Sequence, residues 1–278
     1  MLNVVSQRSI WLPVLSILIA LLLGKLPVHA QQVTGTPGSP SATTTINGKR
    51  LPAPDPKFGG VIKENAPQSR AWWAPRVVPP KGAPNVLLII TDDAGFGVPS
   101  TFGGVIPTPA LDRIANAGLR YTNFNSTALC SPTRAALITG RNHHSAAFPN
   151  IMEVATGYDG YTCVLPKNCG TVGEVLRQNG YSTEWIGTNH NTPPWEPSAA
   201  GPFDRWANGL GFEYFYGFNA GDMNHWNSIV YENRNLVPAS TDPNYHLTGI
   251  VAEHLPHTFR LFSQFGSASE RSPSGLGI

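Results

Sequence analysis

A continuous apolar run from Asn85 to Ile90 constrains the fold more than any other feature of this chain. The run lacks the alternation of a half-exposed strand, so it is typical of a strand buried on both faces, as in a parallel sheet. Parallel strands need crossover connections, which are usually helices. The run therefore predicts an α/β architecture.

The segments that follow alternate between helix and strand signals. Pro109 is typical of the first position of a helix, and residues 119–125 then alternate like a strand. Thr171 and Glu174 have the spacing of a capping box at another helix, and residues 181–187 follow as another strand. This order predicts a sheet with helices packed against it.

Two adjacent carboxylates, Asp92 and Asp93, follow the apolar run in a short turn. Ligand sites of open α/β sheets lie at the carboxyl ends of the strands, where this turn would be. Neighbouring carboxylates repel each other unless a cation or hydrogen-bond donors compensate, and their oxygens suit Ca²⁺ or Mg²⁺. The alternative is a polar turn in which one aspartate accepts hydrogen bonds from local N–H groups.

Cys130 stands just before a predicted helix. Ser131 can cap this helix, Pro132 suits its first turn and Gly140 can end it. Arg134 lies one turn further on, so its guanidinium can share a side with residue 130. A helix start attracts anions and would acidify a thiol placed there. The alternative is a buried cysteine beside an ordinary helix.

The first thirty residues have the pattern of an export signal. Arg8 gives a positive amino-terminal region, residues 10–23 are almost wholly apolar, and Ala30 completes a cleavage site. Residues 1–30 are therefore predicted to be a signal peptide, and the protein is predicted to be periplasmic or secreted. The apolar run is shorter than the roughly 20 residues of a membrane span, so we expect no stable membrane insertion.

Charge and cysteine content limit the classes of partner. Charged residues make up 13% of the chain and the net charge is +2, against about 25% charged residues in an average domain. This composition gives no electrostatic footprint for nucleic acid. In an oxidising compartment Cys163 and Cys169 are a candidate disulfide, which leaves Cys130 as the odd cysteine.

The motif Cys130-Ser-Pro-Thr-Arg134, with Asp92-Asp93-Ala-Gly-Phe-Gly upstream, resembles the type I sulfatases. These are the formylglycine-dependent arylsulfatases of the alkaline phosphatase superfamily. The likeness implies a mostly parallel central sheet with helices on both faces. It also implies an incomplete sulfatase N-terminal α/β domain at 82–248, followed by a divergent tail at 249–278. Residues 31–81 are rich in Pro, Gly, Ser and Thr without periodicity, and this composition predicts an extended arm.

The resemblance implies a sulfuric ester hydrolase that acts on a small sulfate ester or a sulfated glycan. Cys130 would be oxidised by a formylglycine-generating enzyme, and Asp92, Asp93 and residue 130 would bind Ca²⁺, or alternatively Mg²⁺. The hydrated aldehyde would offer one hydroxyl to attack sulfur and another to help expel sulfate. Arg134 would steady the formylglycine hydroxyl, and His190 would accept a proton from the second hydroxyl.

Two departures from the family pattern bear on activity. Sulfatases usually have a lysine two residues before the histidine, where its ammonium binds sulfate; this chain has Thr188, a substrate-binding candidate without charge. The remaining metal ligands of the family, an Asp-Asn pair, have no counterpart in residues 249–278. The alternatives are therefore a truncated, catalytically inactive sulfatase fragment and a phosphonate or phosphodiester hydrolase of the same superfamily.

Overall fold

The computed structural model describes residues 33–49 and 51–254. The chain divides into two compact units, Met1–Pro80 and Lys81–Ile278. The predicted signal peptide and residues 255–278 of the predicted tail lie outside the described residues, and the domain boundaries drawn from the sequence stay predictions. Within the described ranges, no helix is long and apolar enough to cross a membrane.

A small sheet organises the first unit. Strand β1 (Val33–Thr34) pairs antiparallel with β2 (Thr43–Thr44), which pairs parallel with β3 (Arg76–Val77). Trp72 packs closely against a neighbouring turn, since a Cβ added at Gly59 would lie 2.6 Å from its Nε1. The segment predicted as an extended arm thus includes short strands and a packed indole.

A four-stranded mixed sheet, in the order β4-β5-β6-β7, organises the second unit. Strands β4 (Glu184–Thr188) and β5 (Tyr214–Phe218) are parallel and in register along their whole length. Strands β6 (Tyr231–Glu232) and β7 (Asn235–Leu236) extend the sheet as antiparallel pairs. Because β4 and β5 run in the same direction, their carboxyl ends lie at the same edge of the sheet.

Aromatic side chains bury β5 on both faces. Phe215 packs with Trp206 in one apolar cluster, and Tyr216 and Phe218 pack with Leu247 in another. Successive side chains of a strand point to opposite faces, so these two clusters cover opposite sides of the sheet. Strand β5 is therefore a buried inner strand, which fixes the edge where the loops after β4 and β5 meet.

Short helices of the second unit begin and end where local chemistry favours it. At the start of one helix, Thr171 Oγ1 accepts from the Glu174 N–H at 3.1 Å and Glu174 Oε2 accepts from the Thr171 N–H at 3.1 Å, which confirms the capping box. Another ends at Gly140, whose φ is 64°. Ser131 lies inside that helix, so the prediction that Ser131 caps the helix is wrong. The helices are α1 (Pro109–Ala117), α2 (Cys130–Thr139), α3 (Val172–Gln178) and residues 247–254.

The apolar run at residues 85–90 does not form the predicted buried strand. Val86 is 70% exposed and Leu88 60% exposed, and none of the described strands pairs with the run. Residues 119–125 are also irregular and exposed. An apolar segment becomes a strand only where a neighbour satisfies its backbone N–H and C=O groups. In the described part of the second unit, β4 and β5 are the only strands that pair in parallel, beside an isolated parallel bridge between Pro99 and Ile106, and the α/β class holds.

Candidate active site

Cys130 and His190 meet where α2 begins beside the carboxyl end of β4. Cys130 is the first residue of α2, after Leu129 in an extended conformation, and His190 follows β4 by two residues. The distance from Cys130 Sγ to His190 Nδ1 is 2.9 Å. The structure thus brings together the residue predicted to become formylglycine and the histidine predicted to accept a proton.

Glu153 occupies the other side of the His190 ring. Its Oε1 lies 2.6 Å from His190 Nε2, and an ionised carboxylate only accepts hydrogen bonds, so Nε2–H is the donor. The ring is fully buried, whereas the Glu153 side chain is 48% exposed. Sequence reasoning missed Glu153 because it lies in a single 3-10 turn, Met152–Val154, in an irregular loop without a motif or a periodic pattern.

Buried amides hold the loop that carries His190. Asn189 Nδ2 donates to Thr192 Oγ1 at 2.9 Å, and Asn191 Nδ2 donates to the Ser131 carbonyl oxygen at 3.0 Å. Asn189, Asn191 and Thr192 have no exposed surface. These two hydrogen bonds tie the loop both to itself and to α2, while Asn191 Oδ1 has no partner among the described residues.

The ring of His190 also has no free space on the side of Gly221. A Cβ built at Gly221 would lie 2.6 Å from His190 Cε1 and 2.8 Å from its Nε2. Real Cβ atoms essentially never come that close to another heavy atom. The absence of a side chain at position 221 is therefore part of what positions the imidazole.

Arg134 connects α2 to two other segments of the site. Its Nη2 donates to Asp92 Oδ2 at 3.1 Å, and its Nη1 donates to the Thr188 carbonyl oxygen at 3.3 Å. The Arg134 side chain is only 9% exposed. Its Nε has no hydrogen-bond partner among the described residues. A buried guanidinium therefore ties the turn at Asp92 and the end of β4 to the helix that presents Cys130.

Burial raises the pKa of the Cys130 thiol above its ordinary value. The backbone N–H of Ser131 lowers this pKa by less, and the carboxylate of Asp92 raises it further. The prediction that the helix start acidifies this thiol is therefore wrong, because desolvation of the thiolate outweighs the N–H groups and the Arg134 charge. A protonated thiol donates to His190 Nδ1.

Asp92 and Asp93 lie exposed on the turn after the apolar run. Asp93 adopts a φ of 50°, and Asp92 is paired with Arg134. Within residues 33–49 and 51–254, no three His, Cys, Asp or Glu side chains are grouped so that they could hold a metal ion. Two carboxylates, one of them neutralised by a guanidinium, are too few for a Ca²⁺ site. The Ca²⁺ or Mg²⁺ site stays a prediction.

The predicted disulfide between Cys163 and Cys169 is absent from the structure, in which both residues are free and buried. Cys163 Sγ donates to the Asn150 carbonyl oxygen at 3.6 Å, and Cys169 Sγ donates to the Ser145 carbonyl oxygen at 4.0 Å. Proximity in sequence does not make two Cβ vectors converge, and here the thiols bond to different segments. The disulfide prediction is therefore wrong.

Comparison with known proteins identifies the family of this chain. Residues 84–257 match the family model described as Sulfatase. The chain belongs to the sulfatase family. This membership confirms the α/β, alkaline phosphatase-like fold class predicted from the sequence.

Two curated sulfatases illustrate the extent of the likeness. An arylsulfatase of Klebsiella aerogenes is 32% identical over 149 residues, which cover 53% of this chain and 30% of that protein. An N-acetylglucosamine-6-O-sulfatase of Bacteroides thetaiotaomicron is 36% identical over 126 residues, or 45% of this chain and 20% of that protein. This sulfatase chain therefore spans less than a third of the length of these relatives.

Among solved structures, the crystal structure of Ps i-CgsB is similar with a TM-score of 0.47 and 20% sequence identity. The similarity covers 63% of this chain and 41% of that one.

Thr188 marks where this sulfatase departs from the expected sulfate-binding lysine. It is the last residue of β4, half-buried, and its carbonyl oxygen accepts from both Arg134 Nη1 and Trp185 Nε1. The backbone of Thr188 is therefore occupied by the scaffold. The Thr188 side chain offers a neutral hydroxyl, which gives a weaker hydrogen bond to an anion than an ammonium does.

Proposed function

We propose that this chain carries the nucleophile region of a sulfuric ester hydrolase, which converts R–O–SO₃⁻ and water into an alcohol and sulfate. One observation carries the proposal: in a chain of the sulfatase family, Cys130 Sγ lies 2.9 Å from His190 Nδ1 at a helix start. A residue that is to be modified and then deprotonated needs a proton acceptor within hydrogen-bond distance, and this geometry supplies one.

The thiol of Cys130 stands where an oxygen of the modified residue would be. When Cys130 is converted to formylglycine, one hydroxyl of its hydrate would bond to sulfur as the bond from sulfur to the ester oxygen breaks, and its proton would go to the departing alcohol. The second hydroxyl would lose its proton as the C–O bond to sulfate breaks, which releases sulfate and re-forms the aldehyde. The 2.9 Å contact with Cys130 Sγ supports His190 Nδ1 as the acceptor of that second proton. Burial of His190 excludes water from the same nitrogen, so the proton has one defined destination.

Arg134 contributes a fixed positive charge beside residue 130. Its position depends on Asp92 Oδ2 and the Thr188 carbonyl oxygen, at 3.1 and 3.3 Å. A guanidinium held in this position would steady the formylglycine hydroxyl without reorganising during the reaction. We further propose Asp92 and Asp93 as the carboxylates that this chain contributes to the expected Ca²⁺ or Mg²⁺ site, and no proton transfer above depends on that ion.

The substrate class that we propose is a small sulfate ester or a sulfated glycan. The arylsulfatase and the N-acetylglucosamine-6-O-sulfatase among the relatives support this class. We also propose that the protein is exported and that a formylglycine-generating enzyme acts on Cys130. Amino-terminal sequencing of the mature protein should then begin at Gln31.

The test begins with confirmed modification. The chain is produced with a formylglycine-generating enzyme, mass spectrometry quantifies the aldehyde at residue 130, and release from a chromogenic aryl sulfate is measured with Ca²⁺ present. We expect turnover that Cys130→Ala abolishes and that the matched variant Cys163→Ala retains. A fully modified protein without turnover would overturn the proposal, and faster release from phosphate esters would reassign the substrate.

A further inference from the structure

A glutamate outside the sulfatase motif completes a hydrogen-bonded series through the site. Cys130 Sγ contacts His190 Nδ1 at 2.9 Å, and His190 Nε2 contacts Glu153 Oε1 at 2.6 Å. We propose that Glu153 is a positioning residue that holds His190 in the Nε2–H tautomer, with the Nδ1 lone pair directed at residue 130. The role assigned to this lone pair rests on the proposed function.

The chemistry of the two contacts determines the tautomer. A neutral imidazole carries its proton on one nitrogen and accepts on the other. Because the Glu153 carboxylate accepts and does not donate, its contact places the proton on Nε2. Nδ1 is then the acceptor, which a group that takes a proton from residue 130 has to be.

The backbone that carries Glu153 is tied to the same helix that presents Cys130. The N–H of Met152 donates to Ser131 Oγ at 3.3 Å, and the Met152 side chain is buried in an apolar cluster with Phe148. One segment of chain therefore links the carboxylate to residues 130 and 131. A change in the position of α2 would move the thiol and the carboxylate together.

Among the contacts of His190, the one with Glu153 determines which ring nitrogen carries the proton. Gly221 blocks movement of the ring on one side, and the neighbouring residues Asn189 and Asn191 are fully buried. These contacts fix where the ring lies, and within the described part of the chain none of them provides a hydrogen-bond acceptor for Nε2. Glu153 provides that acceptor from a half-exposed position, at a turn that packs on the core through the residue before it.

Comparing the unaltered protein with two variants of Glu153 distinguishes a positioning role from a merely structural contact. Glu153→Gln keeps an acceptor oxygen for Nε2–H and removes the charge, whereas Glu153→Ala removes the acceptor. Asp159→Ala deletes an exposed carboxylate later in the same loop and is the matched control. Three quantities are measured in each protein: the formylglycine fraction, kcat and KM separately, and the ¹⁵N shifts of the His190 ring.

We expect Glu153→Ala to lower kcat about 10- to 100-fold with KM little changed, the range typical for removing the hydrogen-bond partner that orients a metal-ligating histidine. Its ¹⁵N shifts, recorded well above the ordinary histidine pKa of about 6.5, should lose the pure Nε2–H signature. Glu153→Gln should keep that signature and recover most of kcat. Asp159→Ala should match the unaltered protein.

The two readouts separate this proposal from the proposed function. If the modified protein releases no sulfate, the hydrolase proposal fails, and the ¹⁵N shifts still decide the role of Glu153. An unchanged Nε2–H signature in Glu153→Ala overturns the positioning role. So does an unchanged kcat in an active protein. If Glu153→Ala does not fold, a mixed tautomer in Glu153→Gln overturns the role equally.

Discussion

An alanine at position 221 tests how tightly the site holds His190. The new Cβ would lie 2.6 Å from Cε1, 2.8 Å from Nε2 and 3.2 Å from Nδ1 of the ring. Carbon atoms in contact normally lie about 3.5–4.0 Å apart, so the ring or the loop has to move by about 1 Å. A displacement of about 1 Å at a reacting group costs about 100-fold in rate.

The same overlap costs stability. Inserting a methyl group into a packed interior destabilises a protein by about 1–3 kcal/mol. Each kcal/mol corresponds to about 2–4 °C in Tm for a domain of about 150–250 residues. We therefore expect Gly221→Ala to lower Tm by a few degrees and kcat/KM for an aryl sulfate by about 100-fold. Thermal denaturation followed by circular dichroism and steady-state kinetics measure the two effects.

Two controls make this prediction refutable. Gly170→Ala adds the same methyl group where nothing lies within 4 Å, so it should change neither quantity. In a His190→Ala background the ring is gone, and Gly221→Ala should then cost little further stability. If it costs as much as in the unaltered protein, the methyl group clashes elsewhere. Unaltered kcat/KM would show that the ring is not held as the distances indicate.

Three further predictions follow from contacts of the site. Arg134→Lys should destabilise the chain by about 1–3 kcal/mol in urea denaturation, because one ammonium does not span Asp92 and the Thr188 carbonyl; an unchanged midpoint would contradict this. Thr188→Lys should raise kcat/KM for aryl sulfates about 10-fold, since a charge-assisted bond replaces a neutral one; equal or lower values would count against a sulfate-binding position. Burial raises the pKa of the Cys163 thiol, so its labelling by a thiol reagent should speed up with rising pH and on unfolding. Fast labelling of the folded chain at neutral pH would argue against that burial.

Local chemistry made part of the molecule predictable from its sequence. The capping box at Thr171 and the end of α2 at Gly140 depend on neighbouring residues, so sequence spacing was sufficient. The meeting of Cys130 and His190 followed from the family motif and from the rule that ligand sites gather at the ends of parallel strands.

The remaining features depend on contacts between distant segments. The run at 85–90 has the composition of a buried strand but lacks a pairing neighbour among the described residues, and composition does not supply one. Burial of Cys130 reversed the expected direction of its pKa shift, because desolvation depends on the surrounding fold. Glu153 reaches the site through tertiary packing alone, so no spacing pattern could identify it.

The buried amides around His190 have a consequence for how the site meets its substrate. Asn189 Nδ2 also donates to Asn219 Oδ1 at 3.0 Å, which joins the loops after β4 and β5. The conformational entropy of these loops is therefore lost during folding, before any ligand binds. If the proposed sulfate ester binds at residue 130, none of its binding energy is needed to order these loops, so more of that energy can orient the ester.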